Sequence, residues 1–256
     1  LIKGNKDKIF QKIALKLEGK KHETVLEIDL SNIEKNYLAY KNLIPNNSKV
    51  LAMIKAAGYG AGLVEIGKKL SKINLDYLGV AYSDEGVELR KSSIDIPILV
   101  MNVEEKSMED VIEHQLTPAI YDLLQLDKFT NKLVTLGIEK YPVHIKINTG
   151  MNRMGIEISE IDELISFLLS QPEIKVEGIF SHLAASDEKD GKKLTNRQIS
   201  TFEKAAVSIE KRIGYKVIKH ILNTSGIENY SAYSMDMVRL GIGLYGVSNQ
   251  LTLENV

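Results

Sequence analysis

Residues 49–62, "KVLAMIKAAGYGAG", join an apolar run to a glycine-rich turn, with Lys55 at the junction. The run from Val50 to Ile54 is short and apolar, as is typical of a buried parallel strand. The segment "LVEIGKKLSKI" (63–73) follows, and its apolar residues recur with the spacing of an amphipathic helix. The stretch therefore predicts one strand–turn–helix unit with a lysine at the end of its strand.

Seven more short apolar runs follow, and longer helical segments separate most of them. They are "YLGVA" (77–81), "PILVM" (97–101), "TPAIY" (117–121), "VHIKINT" (143–149), "KVEGIFSHL" (175–183), "VIKHILNT" (217–224) and "MVRLGIGLYG" (237–246). Eight strands with crossover helices predict an α/β fold, a (β/α)8 TIM-type barrel, which commonly needs about 250 residues. The competing fold is an open doubly wound sheet, but its G-x-G-x-x-G fingerprint after the first strand is absent.

Local signals predict how individual elements begin and end. "VLEIDL" (25–30) predicts an extra strand that packs outside the barrel, followed by an N-capped helix in residues 31–44. Ser159 is expected to cap the helix that follows it. Gly214 is expected to end the long helix that starts at Thr195.

Composition describes an ordinary soluble globular protein, with 44% hydrophobic and 26% charged residues. The formal net charge of −1 predicts no general attraction to nucleic acid or to an acidic membrane. The sequence has no cysteine, which excludes disulfides and thiolate metal sites. No apolar stretch approaches the roughly 20 residues that span a bilayer, and we expect a cytoplasmic protein. The basic, amphipathic start predicts a short surface helix, with binding to an anionic surface as the alternative.

Barrel enzymes carry their chemistry at the carboxyl ends of the strands. The cationic and polar residues that this rule selects, at strand ends or in the last strand, are Lys55, Arg153, His182, Asn223, Thr224 and Arg239. We therefore expect an amine, an imidazole, two guanidinium groups and a hydroxyl to meet at one mouth.

Lys55 has two interpretations. A lysine that is partly removed from water and close to other cations is more readily a free amine, able to form a Schiff base or act as a general base. In the alternative, its stem packs and its ammonium reaches solvent. Gly58, Gly60 and Gly62 favour the first, because glycines let backbone amides approach a bulky anion. Tyr59 either donates a hydrogen bond from its phenol hydroxyl to a phosphate or is a simple aromatic residue at the rim. Its spacing alone favours the second interpretation.

Arg239 lies inside a strand that otherwise looks like core, so its cation needs an acceptor. That acceptor is either a structural carboxylate or a ligand. His220 is either an ordinary core histidine or a residue that positions the arginine. Thr224, Ser225 and Gly241 flank the last two strands, where barrels often hold phosphate. The site is therefore suited to a phosphorylated cofactor or substrate beside a reactive amine.

Four motifs carry a resemblance to a known family. "MIKAAGYGAG", "KINTGMNRMGI", "FSHLAASD" and "HILNTSG…MVRLGIGLYG" resemble, in order and spacing, the motifs of the pyridoxal-phosphate alanine racemases. The resemblance covers residues 24 to 247. It implies a PLP-dependent amino-acid racemase that interconverts L- and D-alanine for peptidoglycan synthesis.

The resemblance implies catalytic roles for three residues. Lys55 holds the cofactor covalently and serves as one proton-transfer base, His182 lies beside the cofactor face, and Arg153 lies near the phenolic oxygen and the substrate carboxylate. Lys146 matches a lysine that is carbamylated in many members, where the new negative charge would hold Arg153. A plain strand lysine is the alternative for Lys146.

The resemblance also implies a set of cofactor-binding positions. For pyridoxal 5'-phosphate they are Lys55, Tyr59, Asn223, Thr224, Ser225, Arg239, Gly241 and Ile242, with His220 orienting Arg239. Arg239 matches an arginine that faces the pyridine nitrogen. Because a guanidinium keeps its proton, that nitrogen should stay unprotonated. No metal is expected, because the five histidines lack ligand spacing.

The opening residues and "LDYLGVAYSDEGVELRK" (75–91) resemble a narrower group, in which the racemase follows a UDP-N-acetylmuramoyl-tripeptide–D-alanyl-D-alanine ligase. The implied domains are residues 1–23, a connector from the ligase; 24–247, the PLP-binding barrel; and 248–256, the start of a link to a C-terminal domain. That β-rich domain supplies a catalytic tyrosine across a homodimer interface in the family. We expect this chain to lack the domain, to bind cofactor and to racemise poorly.

Two other functions remain open on the sequence. A non-catalytic barrel for PLP binding and homeostasis fits the chain length, but "GMNRMG" and "MVRLGIGLYG" are closer to the racemase forms. A decarboxylase of diamino acids would be expected to have an acid, not Arg239, at the pyridine nitrogen.

Overall fold

A computed structural model describes residues 27–248 of the chain. Its strands are β1 (Lys49–Met53), β2 (Tyr77–Tyr82), β3 (Ile98–Asn102), β4 (Thr117–Ile120), β5 (Tyr141–Lys146), β6 (Ile174–Phe180), β7 (Ile218–His220) and β8 (Met237–Leu240). All pairings are parallel, in the order β7-β6-β5-β4-β3-β2-β1-β8. The amide of Asp236 donates to the carbonyl of Lys219 at 3.2 Å, and that of Arg239 to Leu222 at 3.0 Å, between the two end strands. The predicted (β/α)8 barrel is confirmed.

One helix precedes β1, and the others follow strands and cover the outside of the barrel. They are α1 (Leu30–Lys41), α2 (Leu63–Lys72), α3 (Ser83–Lys91), α4 (Met108–Glu113), α5 (Leu123–Leu136), α6 (Ile161–Ser170), α7 (Lys192–Ile213) and α8 (Thr224–Tyr230), with short 3-10 turns at Glu105–Ser107, Ile158–Glu160, Lys189–Gly191, Ser231–Tyr233 and Ile242–Tyr245. Within the described range, none of these helices combines the length and apolarity that a membrane crossing requires.

Two apolar layers hold the barrel together. The larger layer lies between strands and helices and includes Val80, Val143 and Phe202. The smaller layer fills the barrel interior and consists of Leu51, Tyr77, Leu99, Ala119, Phe180 and Met237, each at most 4% exposed. Alternate strand residues supply the two layers, because successive side chains of a strand point to opposite faces.

Two local predictions are wrong, and both errors concern capping. The described part of "VLEIDL", residues 27–30, is not a strand, because the carboxylate of Asp29 accepts the amide of Ser31 at 2.8 Å and α1 begins at Leu30. Ser159 does not cap α6, since it lies within a 3-10 turn that precedes the helix. Gly214 does end α7 in a left-handed conformation, as predicted. The predicted opening helix lies outside the described residues.

Candidate active site

A cavity of about 440 Å³ opens at the carboxyl ends of the strands. All but one of the predicted site residues line it: Lys55, Tyr59, Lys146, Arg153, His182, Asn223, Thr224, Ser225, Arg239, Gly241 and Ile242. His220 is the exception and lies beneath the lining, fully buried. The lining carries two lysines and two arginines, and in the described part of the chain it includes no carboxylate. Such a cavity suits a ligand with several negative charges.

Lys55 is exposed at the start of a left-handed turn, two residues after the last residue of the strand that the sequence placed before it. β1 stops at Met53, Ile54 is fully buried, and the backbone then changes direction. The five residues 56–60 all have φ between +53° and +83°. Alanine and tyrosine pay about 1–2 kcal/mol each for this conformation. The turn carries the Lys55 amine into the mouth, 5.9 Å from the ring centre of Tyr59.

The left-handed turn is attached to the next strand by a single carboxylate. Oε1 of Glu85 accepts the amide of Ala57 at 3.1 Å, and Oε2 accepts the amide of Ala81 at 2.8 Å. Within the turn, the amide of Gly58 donates to the carbonyl of Ile54 at 2.8 Å. These bonds satisfy backbone groups that a right-handed helix would have paired differently. Glu85 therefore joins the turn to the end of β2.

A second group of polar atoms meets beside the same turn, where Tyr59 approaches Gly241 and Thr224. The amide of Gly241 donates to Oγ1 of Thr224 at 3.0 Å. A Cβ atom added at Gly241 would lie 3.4 Å from Oη of Tyr59 and 3.6 Å from Oγ1 of Thr224. Asn223 shapes the same corner, because its Oδ1 accepts the amide of Gly226 at 2.9 Å and caps α8. Two hydroxyls and a side-chain-free backbone thus form a small cradle.

Arg239 forms the floor of the cavity and is 4% exposed. Its Nη1 donates to Nδ1 of His220 at 3.0 Å, and its Nη2 donates to Nδ1 of His182 at 3.1 Å. Its other acceptors are the carbonyls of His220, Ser181 and Ile221, at 3.2, 2.6 and 3.2 Å. Over residues 27–248 no carboxylate pairs with it. Burial lowers the pKa of this guanidinium, yet an arginine remains protonated at neutral pH.

Both histidines beside Arg239 are neutral. Because a guanidinium only donates, Nδ1 of each ring must carry a lone pair. Burial, followed by the charge of Arg239, lowers the pKa of His182 to about 3. The same two causes lower the pKa of His220 well below its usual value. The ring of Phe180 stacks on His220, with ring centres 4.9 Å apart and planes 12° apart.

Arg153 stands on a tightly bonded loop after β5. Oδ1 of Asn148 accepts the amides of Gly150 and Asn152, both at 3.1 Å, and its Nδ2 donates to Oε1 of Glu157 at 2.6 Å. Lys146, at the end of the same strand, is partly buried. Burial, and then the positive charges of Arg153 and Arg239, lower its pKa to about 8. Part of the Lys146 population is therefore a neutral amine near physiological pH.

Comparisons with known proteins agree with this geometry. The family described as alanine racemase, N-terminal domain, matches residues 28–249. The chain belongs to this family. Alanine racemase 1 of Oceanobacillus iheyensis is 34% identical over 226 residues, which are 87% of this chain and 59% of that protein. The alanine racemase of Clostridium difficile 630 in complex with cycloserine has a TM-score of 0.82 and 34% identity, over 90% of this chain and 64% of the other.

Other alanine racemases share the fold at lower identity. The alanine racemase of Bartonella henselae, solved with covalently bound pyridoxal phosphate, is 24% identical with a TM-score of 0.77, over 87% of this chain and 60% of the other. The chain thus spans about 60% of the length of its alanine racemase relatives. Because these relatives are racemases, the alternative of a non-catalytic PLP-binding barrel is not favoured.

Sequence reasoning missed several residues of this alanine racemase-type cavity. They are Met53, Ala81, Met101, Asn102, Met154 and Phe180. Asn102 is the last residue of β3, so the strand-end rule would have found it if the strand had been extended by one residue. The others are apolar residues of strands and loops, and no sequence signal separates them from ordinary core residues.

Proposed function

We propose that this chain is the cofactor-holding barrel of an alanine racemase that uses pyridoxal 5'-phosphate. One observation carries the proposal: an amine, three further cations and a hydroxyl–glycine cradle line one cavity, without a carboxylate among its described residues. A phosphorylated aldehyde and an amino-acid carboxylate are anions, so their charge is complementary to that of the cavity. The same observation counts against a decarboxylase-type site, which would be expected to have an acid on the floor.

The cavity residues fit this cofactor. The phosphate would be held by the hydroxyls of Tyr59 and Thr224 and by the backbone of Gly241. The two hydroxyls lie close to the space that a Cβ on Gly241 would occupy. Asn223, Ser225 and Ile242 complete that end of the lining. Lys55 would hold the cofactor covalently through its ε-amine. When bound, pyridoxal phosphate supplies an electron sink that acidifies the α-proton of an amino acid.

Lys55 and Arg153 would act directly on the substrate. The Lys55 amine takes or returns the α-proton on one face, as a general base or acid. The Arg153 guanidinium binds the substrate carboxylate, which suits its exposed position on a loop that Asn148 holds in shape. The ionised carboxylate is thereby oriented before the proton moves.

Arg239 and its two histidines would set the electronic character of the floor. The guanidinium can donate a hydrogen bond to a ring nitrogen but does not transfer its proton. His182 and His220 keep it in place because both accept from it as neutral rings. We expect such a floor to moderate the electron sink and to favour return of the proton over side reactions.

We further propose that Lys146 is carbamylated. Its pKa of about 8 leaves a neutral amine that carbon dioxide can modify. The product carries a negative charge, which would be attracted to the Arg153 guanidinium. An intact mass increased by one carbon dioxide, lost in the Lys146→Ala variant, tests this proposal.

The finer assignments rest on resemblance. In the whole enzyme we propose a homodimer, alanine as substrate, a role in peptidoglycan synthesis in the cytoplasm, and a ligase domain before residue 24. The domain division at residues 24 and 247 belongs to the same proposal. The second proton-transfer base would come from the part of the racemases that this chain does not match.

Borohydride reduction after incubation with pyridoxal phosphate tests cofactor binding. We expect a pyridoxyl label on the peptide that contains Lys55, and its loss in Lys55→Arg. Lys69→Arg is the matched control, because Lys69 pairs with Glu34 away from the cavity. A label scattered over many lysines, or none on Lys55, overturns the proposal.

Solvent exchange at the α-carbon tests the substrate. We expect the protein incubated with pyridoxal phosphate in deuterated water, without borohydride reduction, to exchange the α-proton of alanine faster than that of larger amino acids. Release of carbon dioxide from a diamino acid would assign the site to decarboxylation instead.

A further inference from the structure

A row of side chains runs from Arg239 through the barrel interior to the opposite opening. Below Arg239, Nε2 of His220 lies 2.9 Å from Nδ1 of His144. Nε2 of His144 lies 3.7 Å from Oε2 of Glu177. Both histidines are completely buried, whereas Glu177 is 28% exposed and lines a second opening, of about 400 Å³, near the amino ends of β6 and β7.

The hydrogen-bond polarity of this row is determined at its upper end. Arg239 only donates, so Nδ1 of His220 accepts and the single proton of that neutral ring lies on Nε2. Nδ1 of His144 must then accept from His220, which leaves the proton of His144 on Nε2. That N–H points toward the Glu177 carboxylate, an acceptor.

The lower end imposes the same polarity independently. Nε2 of His144 is buried and has no hydrogen-bond partner within the described residues. Oε2 of Glu177 approaches it to 3.7 Å, which is longer than a hydrogen bond but close enough for the negative charge to act on it. The opposite tautomer would direct a buried lone pair at an ionised carboxylate, which is repulsive. It would also direct Nδ1–H of His220 at the Arg239 guanidinium. The carboxylate therefore disfavours the arrangement that would release Arg239.

We propose that Glu177 is a positioning residue for Arg239, acting through the tautomers of His144 and His220. The carboxylate holds the proton of His144 on Nε2, and this keeps Nδ1 of His220 free to accept from the arginine. The two tautomers follow from distances within the chain alone. Its consequence for catalysis rests on the proposed function, in which Arg239 faces the cofactor ring.

Packing alone does not account for this arrangement. The rings are placed sterically, because Phe180 stacks on His220 and Gly178 leaves room for His144. A ring in a given place can still carry its proton on either nitrogen. Ring packing and proton position are therefore separate properties, and an experiment can separate them.

Removal of Arg239 isolates the contribution of Glu177. In protein with ¹⁵N-labelled histidine, long-range ¹⁵N–¹H correlations identify the protonated nitrogen of each ring. We expect both His144 and His220 as Nε2–H tautomers in the wild type and, because Glu177 still acts from below, in Arg239→Met. In Arg239→Met/Glu177→Leu we expect a mixture of tautomers. Arg239→Met/Glu203→Leu is the matched control, since Glu203 is exposed on α7, and it should resemble Arg239→Met.

Two results would overturn the proposal. One is an Nδ1–H tautomer for His144 or His220 in the wild type, a measurement that needs no variant to fold. The other is an unchanged tautomer pair in the Arg239→Met/Glu177→Leu protein, which would show that the carboxylate does not act on the pair.

A cofactor titration connects the row to the proposed function. With Arg239 intact, we expect Glu177→Leu to weaken pyridoxal phosphate binding about three- to tenfold, the range of one net hydrogen bond. Glu177→Asp should recover part of the loss. Equal affinity of wild type and Glu177→Leu contradicts the catalytic consequence. Failure of the wild type to bind contradicts the proposed function, and the tautomer measurement still decides the role of Glu177.

Discussion

On the floor of the cavity the Arg239 side chain projects from a regular strand. At the rim, Lys55 directly precedes five residues whose backbone is left-handed. The floor residue is buried and bonded to five acceptors, and the rim residue is exposed. One group is held by its own side-chain bonds and the other by the backbone that carries it. Floor and rim should therefore respond to different perturbations: the floor to protons and steric crowding, the rim to backbone substitutions.

The largest expected effect is a loss of unfolding free energy at acid pH, caused by the buried histidines at and beneath the floor. The pKa values of His144, His182 and His220 are all lowered, chiefly by burial. Stability from such groups is fully present above the unfolded pKa near 6.5 and is lost as the pH falls below it, because only the unfolded chain takes up protons. We expect urea unfolding to show a loss of up to about 4 kcal/mol per pH unit below that point, about 1.4 for each histidine.

One variant tests this pH dependence, and one outcome would contradict it. His182→Gln should reduce the slope by about 1.4 kcal/mol per pH unit. Equal unfolding free energies at pH 7 and pH 5 would contradict the neutral, buried state of the three rings.

Added side-chain volume beneath the floor should also lower the free energy of unfolding. A Cβ at Gly178 would lie 2.5 Å from Cε1 and Nδ1 of His144, so Gly178→Ala should lower the unfolding free energy by about 1–3 kcal/mol. In a His144→Ala background the same substitution should have a much smaller effect, because the clashing ring is gone. Equal effects in both backgrounds would contradict the contact.

At the rim, the largest effect is expected from loss of the Glu85 carboxylate. Glu85→Ala leaves the amides of Ala57 and Ala81 without their acceptor and should lower the unfolding free energy by about 1–2 kcal/mol. Pyridoxyl labelling of Lys55 should fall as well, because the turn that carries it loosens. Glu88→Ala, at an exposed position of the same helix, should change neither measurement, and a similar loss there would contradict the role of Glu85.

The smallest expected change in unfolding free energy distinguishes the left-handed turn at the rim from an ordinary right-handed helix. Ala57 has φ of +53°, so Ala57→Gly relieves about 1–2 kcal/mol of strain and adds about 0.5–1 kcal/mol of unfolded-state entropy. We expect a net gain of about 0.5 kcal/mol in thermal or urea unfolding. Ala39→Gly, within the right-handed α1, should instead cost about 1 kcal/mol. A loss at both positions would argue against the left-handed turn.

The floor was accessible from the sequence and the rim was only partly so. A strand-end rule selected Arg239 and His182 because parallel strands bring their carboxyl ends together. Gly58 and Gly60 signalled an unusual turn, but nothing marks Ala56 or Ala57 as left-handed, since alanine normally avoids that region. That conformation depends on a carboxylate from the next helix, which is a tertiary contact.

His144, which contacts His220 beneath Arg239, was missed for a similar reason. His144 is an inward-facing strand residue of the kind that is usually core, and its 2.9 Å contact joins positions 76 residues apart. Periodicity predicts which face a residue occupies but not which neighbour it meets across the barrel. The helix start at Leu30 was missed because the Asp29 side chain, two residues before Ser31, caps the helix. The start at Ile161 was missed because a 3-10 turn precedes that helix, which has no side-chain cap bond.

The gathering of four cations around a cavity whose described lining has no acid has a consequence for the life of the protein. Like charges at close range raise the energy of the empty barrel, and an anionic ligand would cancel this repulsion on entry. A ligand that binds only the folded chain adds stability in proportion to the logarithm of its concentration, about 2.7 kcal/mol at one hundred times its dissociation constant. Ligand binding and folding would thus be thermodynamically linked, and a shortage of ligand would raise the unfolded, protease-sensitive fraction of the protein.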